Sequence, residues 1–331
     1  MIRRREFLTV LGGAATWRLA ARAQQGNRVR RIGVLTAFDE NDTRTRRWLS
    51  TFLQGLTDFG WTDGRNMRVE IRWAAGDFDR MQMFAKELVD LQPDVIFAAT
   101  TSAATALHRN TRTIPIVFAL VSDPVGDRLV ASVARPEGNF TRFSNVESTM
   151  AGKWLELLAE MSPGINRAAI MFNPDTATYG RSYFLPSFEA TARSLRVEPI
   201  IGRVYNTADI ETILASLGRE PKGGLVVLPD SFVTSSRAQI ISLAVHHGVP
   251  TTSNDDIFAR DGGLLSFGAN IPDEFRRATL YLDRILRGAK PADLPVQYPI
   301  KYEMILNAKT ARALGLAVPP SILLRADEVI E

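Results

Sequence analysis

The residues with the most chemical potential stand directly after apolar runs. Thr100-Thr101-Ser102 separates DVIFAAT from the helical stretch AATALHRN. Hydroxyls beside the free N–H groups of a helix start can hold a carboxylate. The same residue types are also ordinary N-caps. Comparable loops are Thr36-Ala37-Phe38 and Val121-Ser122-Asp123 in the first half of the chain. In the second half they are Asn173-Pro174-Asp175, Pro229-Asp230-Ser231 and Ser253-Asn254-Asp255. Carboxylates such as Asp230 and Asp255 can pair with an ammonium group or accept sugar hydroxyls. Asp230 equally suits capping of a helix starting near Ser231, and Asp123 before Pro124 suits a cap followed by a first helical residue. Asp255 and Asp256 adjoin Asn254, and at most one of the two acids is expected to face the cleft. Phe38, Tyr179, Phe232 and Phe267 flank these loops as apolar walls or as core. The candidate ligand-binding set is Thr36, Phe38, Thr100, Thr101, Ser102, Ser122, Asp123, Asn173, Asp230, Asn254 and Asp255.

Catalytic patterns are missing. The three histidines are His108, His246 and His247, and the last two end a helical stretch, where histidine suits the dipole. Neither HExxH nor GxSxG occurs, the first strand lacks the glycines of a dinucleotide loop, and no GxxxxGK[ST] is present. With no cysteine there is no disulfide, thiol nucleophile or cysteine-zinc site. No catalytic residue, metal or cofactor is expected, and an exported carboxylate-based enzyme is the weaker alternative.

The elements that must position these loops alternate. Strand-like VRRIGVLT, MRVEIRW, DVIFAAT and IPIVFAL are separated by helical periodicity. One stripe carries Trp48, Leu49, Phe52, Leu53, Leu56 and Phe59, with Gly60 suited to the C-terminal turn; the next carries Met81, Phe84, Ala85, Leu88 and Leu91. Runs that are apolar throughout suit strands covered on both faces, as in a parallel sheet. The pattern restarts after Asn145: a helix on Met150, Trp154, Leu155, Leu158 and Met161, then NRAAIMF, VEPIIGRV, GGLVVLP, the short VPTT and GGLLSFG. A helix over residues 273–287 turns Phe275, Ala278, Leu282, Ile285 and Leu286 inward, with Asp273 and Glu274 matching the dipole at its start. YEMILN is short enough to be an added strand. The expected architecture is α/β, with two doubly wound parallel-sheet lobes joined by crossing hinge segments and a ligand cleft between them. Lobe 1 takes residues 28–144 plus about 270–300. Lobe 2 takes 145–269, with 301–331 as a candidate addition. In such sheets ligands bind beyond the carboxyl ends of the strands, where the loops above lie.

The chain opens MIRRREFLTVLGGAATWRLAARAQQ. Three arginines, a modest apolar run and Ala21-Arg22-Ala23 have the layout of an export signal cut after Ala23. Arg4-Arg5-Glu6-Phe7-Leu8 fits the twin-arginine form. The run contains Gly12, Gly13 and Arg18, whereas a membrane span needs about 20 apolar residues. No cysteine follows the cut, so a lipid anchor is excluded. Within residues 1–23, Arg3, Arg4, Arg5, Arg18 and Arg22 against Glu6 hold the whole net +4. The 40 Lys and Arg less these five, and the 36 acids less Glu6, leave 35 of each. The basic balance is therefore no sign of nucleic-acid binding. The chain after residue 23 is expected to be a soluble periplasmic monomer.

Three long stretches carry a family likeness: SDPVGDRLVASVARPEGN at 122–139, GGLLSFGANIPDEFRRATLYLDRILRGAKPADLPVQYP at 262–299, and KTARALGLAVPPSILLRADEVIE at 309–331. With the RRREFL start and ARAQ, they make the chain resemble, over essentially its whole length, ABC-transporter substrate-binding proteins of the tryptophan/tyrosine type, which are similar to type I periplasmic binding proteins. The resemblance implies a two-lobed receptor that captures a small polar solute, amino-acid-like or a small carboxylate, and delivers it to a membrane permease. A sugar or nucleoside receptor of the same fold is the alternative. Glu137 and Arg142 stand where many relatives have glycine, and 251–256 is more polar than in many relatives. A transcription regulator of similar core would need a basic helix-turn-helix at its start, where this chain has an export signal.

Overall fold

Two sheets repeat one strand order. The structure is a computed structural model, and it describes residues 28–121, 138–144, 146–177, 183–219 and 222–331. Residues 1–27, which include the expected export signal, Ser122, Asp123, Glu137 and Tyr179 lie outside the described residues, as does the Arg142 side chain.

The first sheet contains β1 (Arg30–Thr36), β2 (Met67–Trp73), β3 (Val95–Ala99), β4 (Ile116–Val121) and β5 (Phe140–Ser144). All pairs are parallel, in the order β2-β1-β3-β4-β5. Helices α1 (Thr43–Asp58), α2 (Phe78–Asp90) and α3 (Thr101–Asn110) connect them. Every residue of β3 is buried, as its unbroken apolar run requires when helices cover both faces. Helix α1 buries Trp48, Leu49, Phe52 and Leu56; Asp42 caps its start, and Gly60, at φ +87°, turns the chain after its end. Strand β5 is the member that periodicity did not reveal, because FTRFS is only five residues with a central charge.

The second lobe carries helices α4 (Met150–Met161), α5 (Leu185–Leu195), α6 (Thr207–Gly218), α7 (Ser231–Ser235), α8 (Arg237–His246) and α9 (Asp256–Arg260). Its first strands are β6 (Arg167–Phe172), β7 (Glu198–Arg203), β8 (Gly223–Val227), β9 (Thr251–Ser253) and β10 (Leu265–Ala269). They lie in the order β7-β6-β8-β9-β10, the same winding as the first sheet. Two C-terminal strands extend it: β11 (Tyr302–Asn307), antiparallel to β10, and β12 (Glu328–Ile330), parallel to β11. YEMILN is thus an added strand, and it runs against the others.

The chain passes between the lobes three times: after β5, between β10 and α10 (Ile271–Leu286), and before β11. Helix α10 belongs by packing to the first sheet. Its Phe275 meets Phe97 of β3 edge-on at 5.2 Å, and Phe97 stacks on Phe52 of α1 at 4.5 Å. The segment after α10 stays on the same side, where Thr141 Oγ1 donates to Leu294 O over 2.8 Å. Two ties join the crossings: Asn270 N donates to Lys301 O at 3.0 Å, and Tyr302 Oη donates to Glu147 Oε1 at 3.2 Å. Among the described residues no helix is long and apolar enough to cross a membrane.

Candidate functional site

In each sheet the strand order reverses between the first and third strands, and the loops leaving those strands border the crevice. In the first lobe these are the loops after β1 and β3. Thr36 is buried, and its Oγ1 accepts from Phe38 N at 3.2 Å. Phe38 packs edge-on against Trp48 at 5.6 Å. Thr100 caps α3, with Oγ1 3.1 Å from Ser102 Oγ, and Thr101 opens the helix. Thr100 has φ +129° and Leu120, at the end of the neighbouring β4, has φ +58°. Thr100 N donates to Ala119 O between them. Non-glycine residues held at positive φ cost about 1–3 kcal/mol each and concentrate where a site needs a fixed geometry.

In the second lobe Asn173 and Asp230 meet across the corresponding crevice. Asp230 is 5% exposed, and four donors fill its carboxylate. Asn173 N donates to Oδ2 at 2.5 Å; Thr176 Oγ1, Phe232 N and Val233 N donate to Oδ1 at 2.6, 2.7 and 3.3 Å. Asn173 Oδ1 accepts from Asp175 N. These contacts join the loops after β6 and β8 and cap α7.

Asp255 faces the other lobe. It caps α9 through Ile257 N, and its Oδ1 also accepts from Arg44 Nη1 of α1 at 2.7 Å. Asp256 Oδ1 lies 3.3 Å from the same nitrogen, so both acids reach Arg44. The Arg44 guanidinium sits 4.7 Å above the Trp48 ring. Burial raises the Asp255 carboxyl above its ordinary pKa against the opposing pull of Arg44. Burial also acts on Asp256, but the hydrogen bond from Arg260 and the charge of Arg44 bring it below its ordinary value. Two polar atoms around this contact, Arg44 Nε and Asn254 Oδ1, are buried without a hydrogen-bond partner.

At the crossings, Glu274 of α10 is 2% exposed, and neither carboxyl oxygen has a hydrogen-bond partner. Burial raises its pKa well above the usual carboxylate range, only partly opposed by Arg277. Tyr302, which feels the charges of both Glu147 and Glu274, is likewise raised, chiefly by burial.

The model for the family described as "ABC transporter substrate binding protein" matches residues 32–330. The chain belongs to that family. Like other substrate-binding proteins of ABC transporters, it is a solute-binding component. It is 26% identical over 266 residues to the tyrosine-binding protein of Clostridioides difficile (strain R20291), covering 80% of this chain and 75% of that one. Among solved structures it is similar to the ABC domain from Streptococcus pneumonia in complex with L-Trp (TM-score 0.80, 24% identity, 91% of this chain and 99% of that one). It is also similar to a conserved domain protein from Vibrio cholerae (TM-score 0.81, 24% identity, 91% and 100%). In this substrate-binding protein the strand-end loops and the crossings also carry four residues outside the candidate binding set: Arg44, Glu147, Glu274 and Tyr302. Two of these carried a signal. Arg44 places a cation in the first turn of a helix, against the dipole. Glu274 complements the dipole at its helix start, yet it lies four residues before Ala278 on the inward stripe of the same helix.

Proposed function

We propose that this protein encloses a zwitterionic, amino-acid-like solute between its lobes, an aromatic amino acid foremost, and passes it to the permease of an ABC importer. The observation that carries the reading is the Arg44–Asp255 contact, which brings the strand-end loops of the two lobes together. The hydroxyls of Thr100, Thr101 and Ser102 and the start of α3 receive the carboxylate. The strain at Thr100 and Leu120 supports that placement, and Phe38 and Phe267 offer apolar surface to the side chain. The amino acids bound by the similar proteins support the ligand class. Lobe 1 comprises 28–144 with 270–300, and lobe 2 comprises 145–269 with 301–331; the packing of α10 and β11 supports this division.

Residues 1–23 are an export signal of twin-arginine form, cut after Ala23, and the remaining chain works as a periplasmic monomer. It binds reversibly, without catalysis and without nucleic acid. The test is a thermal-shift and calorimetric screen of residues 24–331 against L-tyrosine, L-tryptophan, other amino acids, sugars and nucleosides. A ligand at about 100 times its Kd stabilises by about 2.7 kcal/mol. It should be recovered chemically unchanged, since a converted product would favour an enzyme. Preference for a sugar or nucleoside would overturn the ligand class. Envelope protein should begin at Gln24, and replacing Arg4 and Arg5 by Lys should block export.

A further inference from the structure

An amino-acid ligand brings an ammonium group, and the acids first expected to meet it are engaged elsewhere. Four donors occupy Asp230, and Arg44 occupies Asp255. Glu274 is different: it is fully buried, and both of its oxygens lack partners. Its helical neighbours do not complete it. Arg277 donates instead to Tyr298 O and Gln297 Oε1, and Asp273 pairs with Arg276. An ionised carboxylate withdrawn from water without a partner costs several kcal/mol. Such a group persists where something else supplies the counter-charge, or where it carries a proton.

The position is as telling as the isolation. Glu274 lies in the first turn of α10, directly after the second crossing. Tyr302, which starts β11 after the third crossing, lies near enough for an ionised Glu274 to raise its hydroxyl pKa, and it donates to Glu147 of the first crossing. Elements from all three crossings thus converge on one acidic spot at the junction of the lobes.

We propose that Glu274 is the cation subsite of the cleft: in the open form it receives the ammonium group of the solute, and closure then seals the pair. The inference rests on the amino-acid reading above and names the residue that selects for a primary ammonium. In the unliganded protein the carboxyl carries a proton, which passes to solvent as the ammonium binds, one per ligand. The charged and titratable groups around it are Asp273 and Arg277 of its own helix and, from the crossings, Tyr302 with Glu147 behind it.

The experiment compares wild type, Glu274→Gln and Glu274→Leu by titration calorimetry, each first shown to be folded by its thermal melt. The probes are L-tyrosine, L-tryptophan, tyramine, which lacks the carboxylate, and 3-(4-hydroxyphenyl)propionate, which lacks the ammonium. Both variants should lose 10-fold or more in affinity for the amino acids and for any tyramine binding, and should bind the propionate as wild type does. Wild type should release close to one proton per amino acid bound, measured in buffers of different ionisation enthalpy, and Glu274→Gln should release none. Unchanged amino-acid affinity in Glu274→Gln, or an equal loss for the propionate, would overturn the subsite while leaving the amino-acid reading intact. Wild type that binds tyramine but neither amino acid overturns the amino-acid reading, and the subsite is then decided by the effect of Glu274→Gln on tyramine. Binding of the propionate or of neutral solutes alone overturns both.

Discussion

Arg44 of the first lobe donates to Asp255 of the second over 2.7 Å, across 211 residues of sequence. Both side chains are more than two-thirds withdrawn from solvent, and Trp48 supports the guanidinium from beneath. Such a contact ties the two lobes together. A partly buried charge pair of this kind is expected to contribute about 1–2 kcal/mol, more than most exposed pairs. Arg44→Met should therefore shift the X-ray scattering of the unliganded protein toward a larger radius of gyration. Asp255→Asn should do so less, because Asp256 remains 3.3 Å from the same nitrogen. An unchanged scattering curve for Arg44→Met would show that other contacts keep the lobes together.

Asp230 should matter first to stability. Its removal leaves the N–H groups of Asn173 and Phe232 without acceptors in a buried crevice. Asp230→Ala is expected to cost about 2–4 kcal/mol, read as a lower denaturation midpoint. Asp230→Asn should recover part of this, since one amide oxygen can still cap α7 while the NH2 group faces donors. A midpoint equal to wild type in Asp230→Ala would show that water replaces the carboxylate.

Glu274 sets a pH dependence with a definite sign. Its folded-state pKa is raised by burial, so above the unfolded value near 4.5 the folded chain holds a proton that the unfolded chain has lost. Stability from this group is present at low pH and falls as pH rises through that window toward the folded value. Thermal melts from pH 5 upward should show a decline in wild type that is absent in Glu274→Gln, leaving the variant more stable at neutral pH. Parallel profiles would contradict the assignment.

Gly268 is a test of close packing beside the cleft. A Cβ there would lie 1.9 Å from the carbonyl oxygen of Asn254, and backbone cannot yield as a flexible side chain does. Gly268→Ala should separate β10 from the loop after β9 and destabilise by about 1–3 kcal/mol. It should also weaken ligand binding through displacement of Asn254 and Asp255. A crystal structure of the variant with β10 unmoved would refute the mechanism.

By itself the sequence determined what depends on local period and composition. Unbroken apolar runs such as VIFAA can only be satisfied between two helical layers, so two parallel sheets were legible, as were the strand-end loops at Thr36, Thr100, Asn173 and Asp230. Capping by Thr100, Asp230 and Asp255 was also legible, because a cap acts within three residues of itself. Which acids are spent and which are free was decided only by the tertiary structure. The four donors to Asp230 include Asn173 and Thr176, more than fifty residues away, and the partner of Asp255 is Arg44 in the other lobe. Glu274 reads as an ordinary helix-start acid until α10 is laid on the first sheet, where the packing of Phe275 against Phe97 carries its neighbour under cover. A side chain's electrostatic character depends on the water and charges around it, and those are set by which surfaces the fold brings together.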